Sequence, residues 1–158
     1  MKQVTGDLIK MAMAGNFDVI THGCNAWNTM GKGIAKQIKE IFPPAYEADQ
    51  KTTKGDINKL GTITYAKCDI GPRQIIVVNA YTQFNYWSPG EPRTAVYVDY
   101  AAIRLCFKKI KHYWGSYRIG IPMIGAGLAG GDWNIISKII DEEMQGEDVT
   151  LVIYEESK

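Results

Sequence analysis

Histidine and cysteine are scarce in this chain, two and three among 158 residues, and the scarcity removes most metal chemistry. His22 and His112 stand in different contexts, and Cys24, Cys68 and Cys106 show no paired spacing. The clustered ligands of a zinc or two-metal centre are therefore missing, and neither metal nor cofactor is expected. An odd number of cysteines, and a start in which Lys2 is followed by polar residues, give the reducing cytoplasm as the expected compartment. Charge of one sign is lacking as well. Eighteen Lys and Arg against seventeen Asp and Glu leave a net charge of +1, too little field to steer a polyanion, which argues against genomic nucleic acid as a partner. Lys108, Lys109, Lys111 and His112 read instead as the solvated face of an amphipathic helix. No apolar run approaches the roughly 20 residues that a bilayer span requires, so no membrane association is expected. With no linker, repeat or low-complexity tract, and a length inside the roughly 100–200 residues usual for one core, a single monomeric domain over residues 1–158 is expected.

What the chain does have is a regular alternation of two periods. Strand-like runs at Lys2–Thr5, Val19–Gly23, Gly61–Ala66, Gln74–Tyr81, Tyr117–Pro122 and Val149–Tyr154 are separated by helical patterns. Ile34, Ala35, Ile38, Ile41 and Phe42 form one stripe between Gly31 and Phe42, which Pro43-Pro44 should stop. Val98, Ala102, Leu105, Cys106 and Ile110 give a surface helix from about Val96 to Trp114. A third helix runs from Trp133 to Met144, with Asp132 placed to cap it. The continuous run Ile75-Ile76-Val77-Val78 belongs in a sheet covered on both faces. The expected fold class is thus α/β, a three-layer α/β/α sandwich around a central mixed sheet.

Two of the strands pour into glycine-rich turns that open helices. One is Val19-Ile20-Thr21-His22-Gly23-Cys24-Asn25 through Gly31-Lys32-Gly33-Ile34-Ala35. The other is Ile121-Pro122-Met123-Ile124-Gly125-Ala126-Gly127-Leu128-Ala129-Gly130-Gly131-Asp132-Trp133. Backbone N–H groups in such turns converge on anions, and the following helix start adds partial positive charge, so two turns suggest two phosphates. Neither turn has Walker or dinucleotide-fold spacing. In parallel sheets ligands bind beyond the carboxyl ends of the strands, where both turns fall. Trp87-Ser88-Pro89-Gly90-Glu91-Pro92 reads as a loop able to act as a flap over that site.

These motifs, with the opening Val4-Thr5-Gly6-Asp7-Leu8, resemble in type and order those of the macrodomain, the ADP-ribose-recognition fold, nearly end to end. The Gly-Lys-Gly-Ile-Ala and Gly-Leu-x-Gly-x-Asp-Trp forms are most similar to the branch holding ADP-ribose 1″-phosphate phosphatases and terminal ADP-ribose glycohydrolases. Small stand-alone members, phage-encoded ones among them, carry comparable stretches to Asn79–Gln83 and Tyr97–Tyr100; for a phage-encoded protein the compartment would be the host cytoplasm. The resemblance implies that Asp7, beside Leu8, accepts from the adenine amine, and that Asn25 bonds the distal ribose. It implies that Met30, Gly31, Lys32, Gly33 and Ile34, with Ile124, Gly125, Ala126, Gly127, Leu128, Ala129 and Gly130, hold the diphosphate and distal ribose. Gln83 and Phe84 complete the implied contacts. The residues themselves leave other readings open: Asp7 as a helix cap, Asn25 as a turn former, the aromatics Tyr81, Phe84, Tyr86 and Trp87 as core.

For chemistry, His22 at a strand end is the first acid–base candidate, its unperturbed pKa being near neutrality. Asp132 is the second, able to orient His22, activate water or bind ribose hydroxyls. Cys24 lacks the arginine that a cysteine phosphatase requires. Where the terminal glycohydrolases carry a lysine nucleophile and an acid, this chain has Gln83 and Ala129. The expected activity is metal-independent hydrolysis of ADP-ribose 1″-phosphate to ADP-ribose and phosphate. The alternatives are a non-catalytic reader of ADP-ribose or a glycohydrolase releasing ADP-ribose from protein or nucleic acid through water.

Overall fold

The computed structural model describes residues 1–155, so the last three residues of the expected domain lie outside the described residues. Six strands form one sheet: β1 (Lys2–Gly6), β2 (Val19–Cys24), β3 (Ile63–Ile70), β4 (Arg73–Tyr81), β5 (Ile119–Ile121) and β6 (Val149–Tyr154), ordered β1-β6-β5-β2-β4-β3. All neighbouring strands run parallel except β3, which pairs antiparallel with β4 at one edge. The sheet is therefore mixed, as expected. The helices are α1 (Leu8–Met13), α2 (Gly33–Ile41), α3 (Pro43–Gln50), α4 (Tyr100–Trp114) and α5 (Trp133–Glu143).

The period-2 alternation of side chains splits the core into two faces. Val19 and Val78, with Ile119, Ile121, Val149 and Leu151, pack against α4 and α5 through Ile103, Phe107, Ile110, Ile136 and Ile140. Ile20, Ile75, Val77 and Val152 face the other way, onto Leu8, Ile9, Ala12, Ile38, Phe42 and Ala45 of α1, α2 and α3. Helices on both faces make the expected three layers.

Among the departures from the sequence expectation, three have a local reason. β3 runs on to Ile70 because a tight turn at Gly71, with φ of 63°, lets Ile70 pair with Arg73. α4 starts at Tyr100 because the Asp99 carboxylate accepts from the Ala102 amide at 2.9 Å. Pro43 and Pro44 end α2 and also open α3, sitting in its first turn where no amide is needed.

Candidate functional site

The carboxyl ends of β2, β4 and β5 all open on the same side of the sheet. There lies a cavity of about 490 Å³. Its floor is Gly23 and Cys24 at the end of β2. One wall is the first glycine turn (Asn25, Thr29, Gly31, Lys32, Gly33, Ile34, Ala35), and the facing wall is the second (Pro122–Gly125 and Gly127–Ala129). Gln83, Tyr86 and Trp87, following β4, close one end.

The two walls are built differently. In the first, Asn25 works as a turn former: its carbonyl accepts from Trp27 N at 2.8 Å, and its amide donates to Thr29 O at 3.2 Å and Thr29 Oγ1 at 2.8 Å. Behind the turn, Lys59, buried except for 6% of its surface, donates to the Ala26 carbonyl at 3.0 Å and to Asn28 Oδ1. Asn28 is the only non-glycine with positive φ among the described residues (57°), a conformation asparagine tolerates. α2 then begins at Gly33 with no side-chain cap, because Lys32 stands at the cap position. Its first-turn amides thus remain available to a ligand.

The second turn is folded on itself by Gly131 N donating to Gly125 O at 2.7 Å and Gly130 N to Gly127 O at 3.0 Å. The amides of Gly125, Gly127, Leu128 and Ala129 have no acceptor among the described residues. The turn is also tied outward: Ala129 O accepts from Tyr97 N at 2.7 Å and Val98 N at 3.2 Å. Glycine is required twice here. Gly125 has φ of 76° and a Cβ would lie 2.7 Å from Val98; Gly130 has φ of 72° and a Cβ would lie 2.2 Å from Ala95 O. Backbone donors without a protein acceptor therefore stand on both walls of the cavity, and concavities of that kind bind anions.

Of the residues expected at the site, Asn25, Gly31, Lys32, Gly33, Ile34, Gln83, Ile124, Gly125, Gly127, Leu128 and Ala129 line this cavity. Others stand behind or beside it. Met30 is buried with Cys24 and Tyr81. Phe84 packs edge-on against Trp27, ring centroids 5.5 Å apart. Ala126 and Gly130 shape the second turn from outside the lining. Asp7 and Leu8 lie beyond it, at the end of β1; Leu8 is core, and Asp7 caps α1 by accepting from Lys10 N at 3.0 Å. Sequence reasoning passed over Gly23, Thr29, Ala35, Pro122 and Met123 as contact residues, although all lie within or beside the two turns.

Neither residue expected to perform acid–base chemistry lines the cavity. His22 shares the parity of Ile20 and points into the α2/α3 side of the sheet, wholly buried and outside the cavity wall. Its Nε2 is 2.7 Å from Asn79 Oδ1. The Asn79 amide donates to Ala45 O at 2.9 Å and to Thr64 Oγ1 at 3.0 Å, which fixes its orientation, so Oδ1 accepts and Nε2 donates. Burial lowers the imidazole pKa to about 4, against the opposing pull of Asn79. Cys24, which lines the cavity, has its Sγ 3.5 Å from Nε2. Asp132 is exposed and also absent from the wall; its carboxylate caps α5, accepting from Asn134 N at 2.9 Å.

Cys24 does reach the cavity, but burial, with Asp49 and Cys106 adding to it, raises its thiol pKa well above the ordinary value, so it is not a thiolate nucleophile. The wall then holds no carboxylate and no imidazole. Lys32, Tyr86 and the Cys24 thiol are its ionisable groups. Among the described residues no group of three or more His, Cys, Asp or Glu side chains is placed to hold a metal ion. No helix among them is long and apolar enough to cross a membrane.

No family model matches the chain. A phage T4 protein described as an uncharacterized 17.5 kDa protein is 31% identical over 160 residues, covering 98% of this chain and 97% of its own. A DNA ADP-ribosyl glycohydrolase of Mycobacterium tuberculosis is 28% identical over 154 residues; the match covers 95% of this chain but only 40% of that relative. An ADP-ribose 1″-phosphate phosphatase of Candida albicans is 26% identical over 149 residues, covering 90% and 92%. Among solved structures, the macrodomain of Mycobacterium tuberculosis DarG is similar at a TM-score of 0.68 and 22% identity, covering 99% and 97%. The Trypanosoma brucei macrodomain in complex with ADP-ribose is similar at 0.65 and 15% identity, covering 96% and 62%. With both loop motifs in order on the shared fold, and a phage relative matched from end to end, the chain belongs to the macrodomain family.

Proposed function

We propose that this chain recognises ADP-ribose, with the diphosphate between the two glycine turns, adenine toward Asp7, and the distal ribose beneath Gln83, Tyr86 and Trp87. The observation that carries this reading is the presence of backbone amides without protein acceptors in both turns that line one open cavity. Hydrogen bonds to a charged oxygen contribute about 1.5–3 kcal/mol each, so a few of them offset the cost of holding a nucleotide sugar. Asp7 spends one carboxylate oxygen on its cap and keeps the other for an amine. The Trypanosoma macrodomain solved with ADP-ribose supports the choice of ligand.

Hydrolysis of ADP-ribose 1″-phosphate is the second reading, favoured by the similarity to a protein named for that activity. The amide rows and Lys32 would stabilise charge on the phosphoryl oxygens as water attacks phosphorus and the bond to the C1″ oxygen breaks. Tyr86 and Lys32 are the proton donors on the wall for the leaving oxygen. Because donors that bind ground and transition states equally do not accelerate the reaction, the wall supports recognition more directly than turnover. Calorimetry with ADP-ribose tests recognition, and an absence of saturable binding refutes it. Phosphorus NMR of ADP-ribose 1″-phosphate with catalytic protein in EDTA tests turnover: release of inorganic phosphate establishes a metal-independent phosphatase, and an unchanged monoester removes the second reading.

A further inference from the structure

The connector between α3 and β3, residues 51–62, places a buried cation against the back of the first glycine turn. Lys59 ends the short 3₁₀ turn Ile57–Lys59, and no carboxylate lies within ion-pair distance of its ammonium among the described residues. The buried Asp49 carboxylate accepts instead from the Tyr81 hydroxyl at 2.7 Å. A buried ammonium is costly unless its donors find acceptors, and here both acceptors, Ala26 O and Asn28 Oδ1, belong to the turn. The face of Tyr81, with its centre 5.0 Å from Nζ, is the third contact. Neighbouring groups converge on the same two residues. Gly55 N donates to Ala26 O at 2.7 Å, Gln50 Nε2 donates to Asn28 O at 2.8 Å, and Asn28 Nδ2 donates to Thr52 O at 2.9 Å.

What these bonds hold is the direction of the chain. Asn28, at φ of 57°, stands between Trp27, whose ring packs so closely on the connector that a Cβ on Gly55 would lie 2.7 Å from it, and Thr29, which lines the cavity. Thr29 is in turn the acceptor for the Asn25 side chain, another lining residue. Asparagine tolerates the left-handed conformation without preferring it, so the bonds to its side chain decide how fully the turn stays in that shape. We propose that Lys59 is a positioning residue for ligand recognition: by holding Ala26 and the left-handed Asn28 it keeps the first turn in the conformation that presents its backbone donors to the cavity. This rests on the recognition reading above and adds to it a residue that lies outside the cavity lining. Backbone donors recognise an anion only while the turn that carries them is fixed, and the fixing comes from behind.

The test uses the full chain and reads the turn separately from the ligand. Lys59→Met keeps the apolar stem and removes the donors. Asn28→Gly accepts the left-handed backbone and removes the acceptor, so it carries the test if Lys59→Met fails to fold. In the ligand-free protein, amide NMR of each folded variant should show the signals of residues 27–33 displaced well beyond those of residues 125–130. Calorimetry with ADP-ribose, at a temperature where urea unfolding shows the variants fully folded, should give binding about tenfold weaker in Lys59→Met and at least about threefold weaker in Asn28→Gly, losses on the scale of one hydrogen bond to a charged group. Lower stability with unchanged affinity in the folded variants makes Lys59 a structural residue only and overturns the proposal. Spectra in which both turns shift alike overturn it as well. A wild-type protein that does not bind ADP-ribose refutes the recognition reading, and the ligand-free spectra then still decide whether Lys59 sets the turn.

Discussion

Lowering the pH from 7 to 5 should cost this protein about 2 kcal/mol of stability through His22 alone. The imidazole is fully buried, and its pKa falls from 6.5 to about 4 in the fold because burial penalises the charged ring more than the Asn79 hydrogen bond favours it. A depressed pKa means that the unfolded chain binds the proton first. Stability from this group is therefore fully present above pH 6.5, declines as pH falls through the window, and is gone below about 4. At about 1.4 kcal/mol per pH unit the whole window is worth about 3 kcal/mol, and most of the first 2 kcal/mol is lost by pH 5. Other groups titrate over the same range, among them Asp49, whose carboxyl burial pushes up, so the assay must isolate one side chain. Urea unfolding of wild type and His22→Gln at pH 7 and pH 5, at matched slope, does so by difference. Wild type should lose about 2 kcal/mol more than the variant between the two pH values. Equal losses would refute the placement of a neutral ring against Asn79, whatever the variant's absolute stability.

If phosphatase turnover is found, it should show no inflection that vanishes in His22→Gln between pH 5 and 8, as followed by phosphate release; such an inflection would return His22 to the chemistry. Asp7→Ala should weaken ADP-ribose binding at least tenfold and lower stability by about 1 kcal/mol through loss of the α1 cap, whereas Asp7→Asn keeps the cap and loses only affinity, as calorimetry and thermal melts together would resolve. Gly130→Ala should distort the second turn, since its Cβ would meet Ala95 O at 2.2 Å in a left-handed conformation, with a loss of about 1–3 kcal/mol and of ligand affinity. Iodoacetamide at pH 8 should label Cys24 far more slowly than it labels a free thiol, because burial holds the thiol protonated; rapid alkylation of the native protein, read by mass spectrometry, would contradict that environment.

The alternation of period-2 and helical segments identified all six strands and α2, α4 and α5, because local burial patterns repeat within a few residues and need no knowledge of partners. The glycine turns were legible for a related reason: positions such as Gly125 and Gly130 require a missing Cβ, and that requirement is written in residue identity. The short helix α3 was hidden because Pro43-Pro44 reads as a stop, while a proline in a first helical turn reads the same way. Side-chain direction was the larger gap. His22 follows Thr21 in a strand that ends at the cavity, and only the packing of the sheet decides that its ring turns toward Asn79 and the α2/α3 layer. Asp132 likewise sits one residue from the second turn and spends its carboxylate on α5. The packing of Lys32 on the Trp87 ring joins residues 55 positions apart, a proximity that no local pattern encodes. Residue order alone determined the strands, the helices and the backbone donors of the site, since each depends on conformations available to a few neighbouring residues. Tertiary structure decided which side chains reach the cavity, because a strand's parity, a helix's cap and a loop's long-range contacts become fixed only when the sheet closes against its two layers.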